Sequence, residues 1–295
     1  MEKSAMITIC GRPNVGKSTL TNALVGEKIA IVSDKPQTTR NRITAIVEHG
    51  ETQLVLMDTP GFHKPRTRLG DYMVNVVSQS VADVDLVLLL VEPVAEIGKQ
   101  EEGLIARLRE TGAPAVLVIN KIDTVERPRL LEVMALYSAA YDFGAIIPIS
   151  AKTGERIPEL LDEMEKYAVE GPHLFPDDMI TDQPERQICA ELVREKLLKC
   201  LDKEIPHGTA VEVTRFTERD NGIIDLEVTI YCEKDSHKGI IIGKKGAMLK
   251  RIGELARKDI EEFMGTKVNL QTWVKVKENW RDSTSLLRNF GFKNE

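Results

Sequence analysis

Short apolar runs alternate with amphipathic stretches through the first half of the chain. This pattern predicts helices at 18–24 and 101–111, and buried strands at 5–10, 43–48, 52–57, 84–91, 115–119 and 146–149. Strands that alternate with helices favour a mostly parallel sheet with helices on both faces. In such α/β folds, ligands bind where the strands end. The sequence therefore predicts an α/β domain with a site at the carboxyl ends of its strands.

The pattern changes after residue 170. Residues 171–178 combine proline and glycine with polar side chains, which indicates a domain boundary. Beyond it, the predicted order is helix 185–203, strands 210–218 and 223–233, a short helix ending at Ile242, helix 247–264, strand 268–276 and helix 283–290. We predict a first domain at 1–170, a linker at 171–184 and a smaller α+β domain at 185–295.

Composition is ordinary for a globular protein. A length of 295 residues fits about two domains, and 42% of the residues are hydrophobic and 29% are charged. The longest apolar runs are too short to span a bilayer, and no secretion signal is visible. The four cysteines lie far apart without a C-x-x-C pair, which predicts reduced thiols and a cytoplasmic location.

Charge is shared unevenly along the chain. The net charge is −6, but residues 1–179 hold 19 Lys/Arg against 26 Asp/Glu, whereas residues 180–295 hold 21 against 20. Within the second part, residues 234–258 carry eight basic side chains and two acidic ones. A local basic patch on an acidic protein favours an anionic partner. A solvated helix face is the alternative.

The first chemical motif lies between the first predicted strand and the first predicted helix. Gly11–Ser18 reads GRPNVGKS, which matches the phosphate-binding pattern G-x-x-x-x-G-K-S. Its glycines let successive N–H groups point at one phosphate, and the helix N-terminus adds partial positive charge. Lys17 can reach the outer phosphates, and the Ser18 hydroxyl can ligate Mg²⁺. A glycine-rich turn that binds nothing is the alternative.

Three further motifs follow predicted strands. In Asp58-Thr59-Pro60-Gly61 the carboxylate can organise Mg²⁺ and Gly61 can approach a γ-phosphate, although D-T-P-G is also common in plain turns. In Asn120-Lys121-Ile122-Asp123, an ionised Asp123 can accept from N1–H and N2–H₂ of guanine, whereas adenine would face it with a lone pair. Backbone N–H groups of Ser150-Ala151-Lys152 can donate to guanine O6. We therefore expect a GTP site.

These four motifs, with PQTTR at 36–40 between the first two, resemble the Era-type family of translation-factor-related GTPases. The resemblance implies that Thr39 ligates Mg²⁺ only when GTP is bound, with Thr38 as the close competitor. It also suggests that Asn14 ligates K⁺ beside the phosphates.

One residue departs from the Ras-type GTPases. Phe62 follows Gly61 at the place where those enzymes carry a glutamine that positions water. An apolar ring cannot orient the attacking water, so we expect Mg²⁺-dependent hydrolysis that is slow without a partner. Arg40 and Arg42 can supply charge at the transition state, but solvation of exposed loop arginines is the favoured interpretation.

The second domain has the element order α-β-β-α-α-β, with Gly243-Lys244-Lys245-Gly246 between two adjacent helices. This is the order of a KH domain in its prokaryotic arrangement. The two glycines let the backbone approach a single-stranded sugar-phosphate chain, the lysines neutralise phosphates, and Ile240–Ile242 offers an apolar floor for bases. A purely structural helix hairpin is the alternative, because a lone G-x-x-G is weak evidence.

The resemblance to the Era-type family then covers the whole chain. It implies a GTP-binding and GTP-hydrolysing switch that binds single-stranded RNA near the 3′ end of 16S rRNA and acts in assembly of the small (30S) ribosomal subunit. It does not imply an oligomeric state, and we expect a monomer. It suggests contact with the inner face of the membrane, for which the basic patch is the only sequence feature. The rivals are a P-loop kinase, which Asp123 disfavours, and a GTPase whose second domain docks a protein or membrane.

The predicted residues fall into four sets. Those assigned to catalysis are Lys17, Thr39 and Gly61. Those assigned to Mg²⁺ are Ser18, Thr39 and Asp58, the last through water, with Asn14 assigned to K⁺. Those assigned to the nucleotide are Gly11, Arg12, Pro13, Asn14, Val15, Gly16, Lys17, Ser18, Thr19, Asp58, Thr59, Pro60, Gly61, Phe62, Asn120, Lys121, Ile122, Asp123, Ser150, Ala151 and Lys152. Those assigned to RNA are Ile240, Ile241, Ile242, Gly243, Lys244, Lys245, Gly246, Lys250 and Arg251.

Overall fold

The computed structural model describes residues 1–35, 38–61, 67–80, 84–290 and 292. The chain divides into two compact units. The first unit comprises Met1–Ala30, Thr39–Pro65 and Gly70–Asp182. The second comprises Ile31–Thr38, Arg66–Leu69 and Gln183–Glu295. Two short stretches from the first half of the sequence therefore belong to the second unit.

The first unit is a seven-stranded sheet flanked by helices. Its strands are β1 (Lys3–Cys10), β2 (Ile43–His49), β3 (Thr52–Asp58), β4 (Leu86–Val91), β5 (Ala115–Ile119), β6 (Ala145–Pro148) and β7 (Val169–Glu170). Its helices are α1 (Lys17–Val25), α2 (Arg68–Ser80, whose first residues count with the second unit), α3 (Lys99–Thr111), α4 (Arg127–Ala140) and α5 (Ile157–Glu165). The strand order is β2-β3-β1-β4-β5-β6, and β7 pairs with the start of β1.

Alternating side chains of the central strands show why helices cover both faces. The even-numbered leucines of β4 pack in one cluster with α1 and α5, whereas Val87, Leu89 and Val91 pack in another with α3 and α4. A strand that is buried on both faces needs a continuous apolar run, which Leu86–Val91 provides. Neighbouring strands are parallel except at β2–β3 and β1–β7. The predicted α/β class is confirmed.

The second unit is a three-stranded sheet packed against helices. Its elements are α6 (Glu185–Cys200), β8 (Ala210–Glu218), β9 (Ile224–Cys232), α7 (Asp235–Ile242), α8 (Ala247–Met264), β10 (Val268–Val276) and α9 (Thr284–Asn289). β9 lies in the middle, antiparallel to β8 and parallel to β10. Apolar residues of α6 and α8 form one core with those of β9. The predicted α-β-β-α-α-β order is confirmed.

Several element bounds differ from the predictions. Helices α2, α4 and α5 were not predicted at all. The reason is visible in α4, where the buried positions are only Val133 and Tyr137, and Leu131 is exposed, so the apolar stripe is narrow. Helix α6 ends at Cys200, short of the predicted residue 203, because Leu201 is extended and Lys203 has a left-handed φ of 57°.

The stretch predicted as a linker is bonded to the first unit over part of its length. The side chain of Gln53, which is fully buried, accepts from the N–H groups of Leu174 and Phe175 at 2.8 and 2.9 Å and donates to the Phe175 carbonyl at 2.9 Å. These bonds satisfy a buried amide that would otherwise be costly. Among the described helices, none combines the length and the apolar character that crossing a membrane requires.

Candidate functional site

The predicted phosphate loop closes around a lysine. Lys17 is only 6% exposed, and its Nζ donates to the carbonyls of Gly11 and Arg12, each at 3.0 Å. Gly16 has a φ of 101°, and a Cβ placed on it would lie 2.3 Å from Nδ2 of Asn120. Burial lowers the pKa of Lys17, although the Asp58 carboxylate counteracts this. The loop thus holds a cation in a tight backbone cradle, which suits a phosphate group.

The three side chains predicted to hold Mg²⁺ lie together. The Ser18 hydroxyl is 2.8 Å from Thr39 Oγ1 and donates to Asp58 Oδ2 at 2.8 Å. Burial raises the pKa of Asp58 to about 6, while Lys17 and the Ser18 hydrogen bond oppose the rise. Among the described residues, buried Oδ1 of Asp58 has no hydrogen-bond partner. An oxygen-only cluster with an orphaned carboxylate oxygen fits a magnesium ion.

The two threonine candidates for Mg²⁺, Thr38 and Thr39, make different contacts in the loop before β2. Thr38 Oγ1 donates to the carbonyl of Lys35 at 2.6 Å, whereas Thr39 Oγ1 lies beside Ser18. The geometry therefore favours Thr39. The expectation that both loop arginines are solvated is wrong for Arg40, which is buried, whereas Arg42 is exposed. The polar composition of residues 33–42 predicts an exposed loop, but Thr39 and Arg40 of this loop are buried.

The segment after β3 approaches the phosphate loop. A Cβ on Gly61 would lie 2.9 Å from the backbone nitrogen of Pro13, so a larger residue cannot take this place without a shift. Thr59 and Pro60 are buried, and Thr59 Oγ1 donates to the Ile9 carbonyl at 2.9 Å. Phe62 lies outside the described residues, so its predicted role stays a prediction.

The loop predicted to bind guanine, Asn120–Asp123, is hydrogen-bonded to the phosphate loop and to the Ser150–Lys152 stretch. Asn120 donates to the Val15 carbonyl at 2.8 Å and accepts from the Ala151 N–H at 2.9 Å. The hydroxyl of Ser150 donates to Asp123 Oδ1 at 2.7 Å, and the rest of the Asp123 side chain is exposed. A carboxylate that is oriented yet exposed can accept from a base. The N–H of Ile122 donates to the carbonyl of Ile149, the residue after β6, at 3.2 Å. Lys152 is exposed, and Thr19 is half-buried in α1.

Glu92 was missed by the sequence predictions. It follows β4 directly and bonds to both Arg12 of the phosphate loop and Lys121 of the guanine loop. Lys121 also donates to the carbonyl of Asn14, an exposed residue with a left-handed φ of 66°, at 2.7 Å. Burial opposes ionisation of Glu92, but Lys121 and Arg12 hold its pKa below the usual range. The sequence signal that could have identified Glu92 is its place directly after a predicted strand, because ligands bind at the carboxyl ends of strands in such folds.

The Gly243–Gly246 loop has an unusual backbone. Gly243, Lys245 and Gly246 have φ values of 72°, 52° and 79°, all in the left-handed region. A Cβ on Gly243 would lie 3.0 Å from the backbone nitrogen of Met248, whereas a Cβ on Gly246 would meet nothing within 4 Å. Lys244 and Lys245 are exposed. The loop therefore turns sharply and presents two ammonium groups outward.

One predicted RNA-binding residue is placed differently. Ile241 is fully buried in the core of the second unit, so its assignment to an apolar floor for bases is wrong. Its neighbours on α7 face outward, because Ile240 is 50% exposed and Ile242 is half-buried. Lys250 and Arg251 are exposed near the start of α8, and Lys250 lies 3.9 Å from Glu254.

Comparisons with known proteins find matches to both units. Residues 6–121 match the family described as 50S ribosome-binding GTPase, and residues 204–281 match the KH domain family. The protein "GTPase Era" of Ruminiclostridium cellulolyticum is 52% identical over 291 residues, covering 99% of this chain and 98% of its own length. The Era protein of Clostridium perfringens is 52% identical over 293 residues, covering 99% of each chain.

Two solved structures are similar along their whole length. A variant of Aquifex aeolicus Era bound to GDP·AlF4⁻ is 36% identical, with a TM-score of 0.95 over 99% of this chain and 100% of that one. A structure of Era with MgGDPNP and nucleotides 1506–1542 of 16S ribosomal RNA is also 36% identical, with a TM-score of 0.93 and complete coverage of both chains. The chain is therefore a member of the Era family of GTPases, a GTP-hydrolysing enzyme in which a P-loop domain precedes a KH domain.

Proposed function

We propose that this GTPase binds single-stranded RNA near the 3′ end of 16S rRNA in a manner controlled by its nucleotide, and that it acts in assembly of the small ribosomal subunit. The observation that supports this most is the Gly243–Gly246 loop, whose sharp backbone turn and outward lysines suit a sugar-phosphate chain. A structurally similar Era protein has been solved with a fragment of that RNA.

Nucleotide binding follows from the first unit. The amides of Gly11–Gly16 and the ammonium of Lys17 bind the phosphates, and Asp123 accepts from the guanine base. Ser18, Thr39 and Asp58 would hold Mg²⁺, which supplies positive charge to the phosphate oxygens when it is bound. Gly61 lies against Pro13 of the phosphate loop. The role of each residue is part of the proposal.

Hydrolysis in this scheme depends on backbone amides and Lys17 rather than on a glutamine after Gly61, and we infer a slow basal rate. The K⁺ expected at Asn14 stays a prediction. Replacing K⁺ by Na⁺ in the assay tests it, and an unchanged rate would contradict it.

The RNA site is tested with charge-reversed lysines. We expect Lys244→Glu combined with Lys245→Glu to remove binding of a single-stranded oligonucleotide with the sequence of the 16S rRNA 3′ end. Both side chains are exposed, so folding and GTP binding should persist. Because each phosphate contact contributes about 0.7 to the salt dependence of single-strand binding, replacing both lysines by Ala should lower the slope of log affinity against log salt by about 1.4. Lys258→Glu, about three turns along α8, is the matched control.

Nucleotide control is tested by measuring RNA affinity with a non-hydrolysable GTP analogue and with GDP. Equal affinities would contradict the switch, because a ligand shifts only states that it distinguishes. Unchanged RNA binding by the variant with both Lys244→Glu and Lys245→Glu would show that RNA binds at another surface. It would then favour the rival in which the KH unit docks a protein or an anionic membrane. The monomeric state and the membrane contact stay predictions.

A further inference from the structure

One carboxylate of the first unit lies between the two loops predicted to bind GTP. In the sheet, β4 lies between β1 and β5, and both neighbours are parallel to it. The phosphate loop follows β1, the guanine loop follows β5, and Glu92 follows β4. Because the carboxyl ends of parallel strands meet at one edge of a sheet, the topology brings Glu92 between two loops that are distant in the sequence.

The two oxygens of this carboxylate serve one loop each. Oε2 of Glu92 accepts from Nη2 of Arg12 in the phosphate loop, and Oε1 accepts from Nζ of Lys121 in the guanine loop. We call these two ion pairs the Glu92 bridge. The Glu92 side chain is 24% exposed, so both pairs are partly shielded from water. Partly buried pairs contribute more than the exposed pairs of a protein surface.

Other groups hold the two cations of the bridge in place. Nε of Arg12 lies 3.4 Å from Oε1 of Glu101, whose side chain is 5% exposed. Nζ of Lys121 donates to the carbonyl of Asn14 in the phosphate loop at 2.7 Å. A cation that has two fixed acceptors keeps one orientation. The Glu92 bridge is therefore an oriented connection between the loops rather than a mobile surface ion pair.

The bonds of the bridge lie entirely between protein atoms. They use neither the amides of the phosphate loop nor the carboxylate of Asp123, which stay available to a nucleotide. The bridge can therefore hold the two loops together before a nucleotide arrives. Loops that are already in place cost less ordering on binding. A protein that is competent to bind only part of the time has an affinity reduced by that fraction.

We propose that Glu92 is a positioning residue for GTP binding, and that it holds the phosphate loop and the guanine loop in their binding arrangement in the nucleotide-free protein. This inference rests on the proposed assignment of both loops to GTP, and it is independent of RNA binding. A bound nucleotide contacts both loops and connects them by itself. Glu92 therefore changes the rate of nucleotide association, and it leaves the dissociation rate and kcat unchanged.

The test is full-length Glu92→Gln, followed by stopped-flow fluorescence with labelled GDP. The amide keeps the size of the side chain, but it has one acceptor oxygen and turns an NH₂ donor toward the second cation. The loss of one charge-assisted hydrogen bond corresponds to about a tenfold change in an equilibrium constant. We expect the association rate constant to fall about tenfold, because binding then requires a prior rearrangement of the loops. The dissociation rate constant and kcat at saturating GTP should match those of the wild type.

A second measurement separates positioning from a general loss of stability. Amide hydrogen exchange in the phosphate loop should be faster in nucleotide-free Glu92→Gln than in the wild type, and equal in the two proteins with GDP bound. Glu92→Asp keeps the charge on a shorter side chain and should recover part of the association rate. Glu96→Gln, which changes an exposed carboxylate just downstream, is the matched control and should behave as the wild type does.

An unchanged association rate in Glu92→Gln would overturn the positioning role, and so would a loss of affinity caused by faster dissociation alone. If this variant fails to fold, Lys121→Met decides, because it removes one partner of the bridge through a side chain that is 36% exposed. An unchanged association rate there has the same meaning. Asp123→Asn tests the assignment on which the inference rests. If Asp123→Asn binds GDP as the wild type does, the assignment of the guanine loop fails. If it loses GDP while Glu92→Gln associates normally, only the role of Glu92 fails.

Discussion

Two glycine-and-lysine loops, each followed by a helix, use the same residue types in opposite ways. In the phosphate loop, Lys17 is buried and bonded to two carbonyls of its own loop. In the Gly243–Gly246 loop, Lys244 and Lys245 are exposed. A buried cation surrounded by fixed amides selects one compact anion, because any other ligand leaves polar groups unpaired. An exposed pair of cations beside a tight turn contacts any phosphate chain that the backbone can reach. Contacts outside this loop must therefore supply any selectivity for one RNA sequence.

The largest effect is expected when the buried lysine is removed. Lys17→Met keeps most of the side-chain volume but leaves the phosphate oxygens without their cation, so we expect kcat to fall by about 10²–10³. Single-turnover hydrolysis under saturating GTP measures this. The bonds of Lys17 to Gly11 and Arg12 lie within the first unit, so RNA binding without nucleotide should be unchanged. A variant with near-normal kcat would show that the amides alone are sufficient.

A smaller loss is expected for the amide that joins the phosphate and guanine loops. Asn120→Ala removes its bonds to the Val15 carbonyl and to the Ala151 N–H, and it leaves both buried groups unpaired. We expect the free energy of unfolding of the first unit to fall by about 2–4 kcal/mol and GTP affinity to fall with it. Urea unfolding followed by circular dichroism measures the first quantity. Thr124→Ala, a neighbouring exposed residue, is the control.

The glycines of the two loops give the most direct comparison. Gly16 and Gly246 both have positive φ, but a Cβ on Gly16 would lie 2.3 Å from Asn120, whereas a Cβ on Gly246 would meet nothing within 4 Å. Gly246→Ala should therefore cost about 1 kcal/mol of backbone strain alone. Gly16→Ala adds overpacking and should cost about 3 kcal/mol. Thermal unfolding of both variants measures the difference, and equal losses would contradict this account.

The sequence predicted the nucleotide site better than the RNA site, and the reason is physical. Phosphate binding requires a fixed spacing of glycine, lysine and serine at a strand end, so Gly11–Ser18 is diagnostic. Burial on a short helix depends on which face packs against the core, and three consecutive isoleucines hide that periodicity, so Ile241 was assigned to the surface. Glu92 was missed because its partners, Arg12 and Lys121, are distant in sequence.

The same limit explains the segment before β2. The polar composition of residues 33–42 predicts an exposed loop. The sequence gives no sign that Arg40 of this stretch is buried or that Ile31, just before it, packs in one cluster with α6. Contacts near this stretch reach residues more than 100 positions away, as in the bond from Val32 to Glu195. Local periodicity carries no information about such contacts. The fold class could be predicted, but the anchoring of this loop required three-dimensional coordinates.

The smallest expected effect concerns a residue of neither loop, His173, in the stretch predicted as a linker. Its Nδ1 lies 2.7 Å from Asp177, and this hydrogen bond, helped by the Glu51 carbonyl, raises the pKa of His173 above its ordinary value. A raised pKa in the folded state means that the contact stabilises the fold fully below about pH 6.5 and that the contribution is lost as pH rises through the higher folded value. An NMR titration should show the raised pKa, and Asp177→Asn should lower it. Asp178→Asn, the adjacent carboxylate, is the control. If both variants titrate alike, the ion pair between His173 and Asp177 does not form in solution.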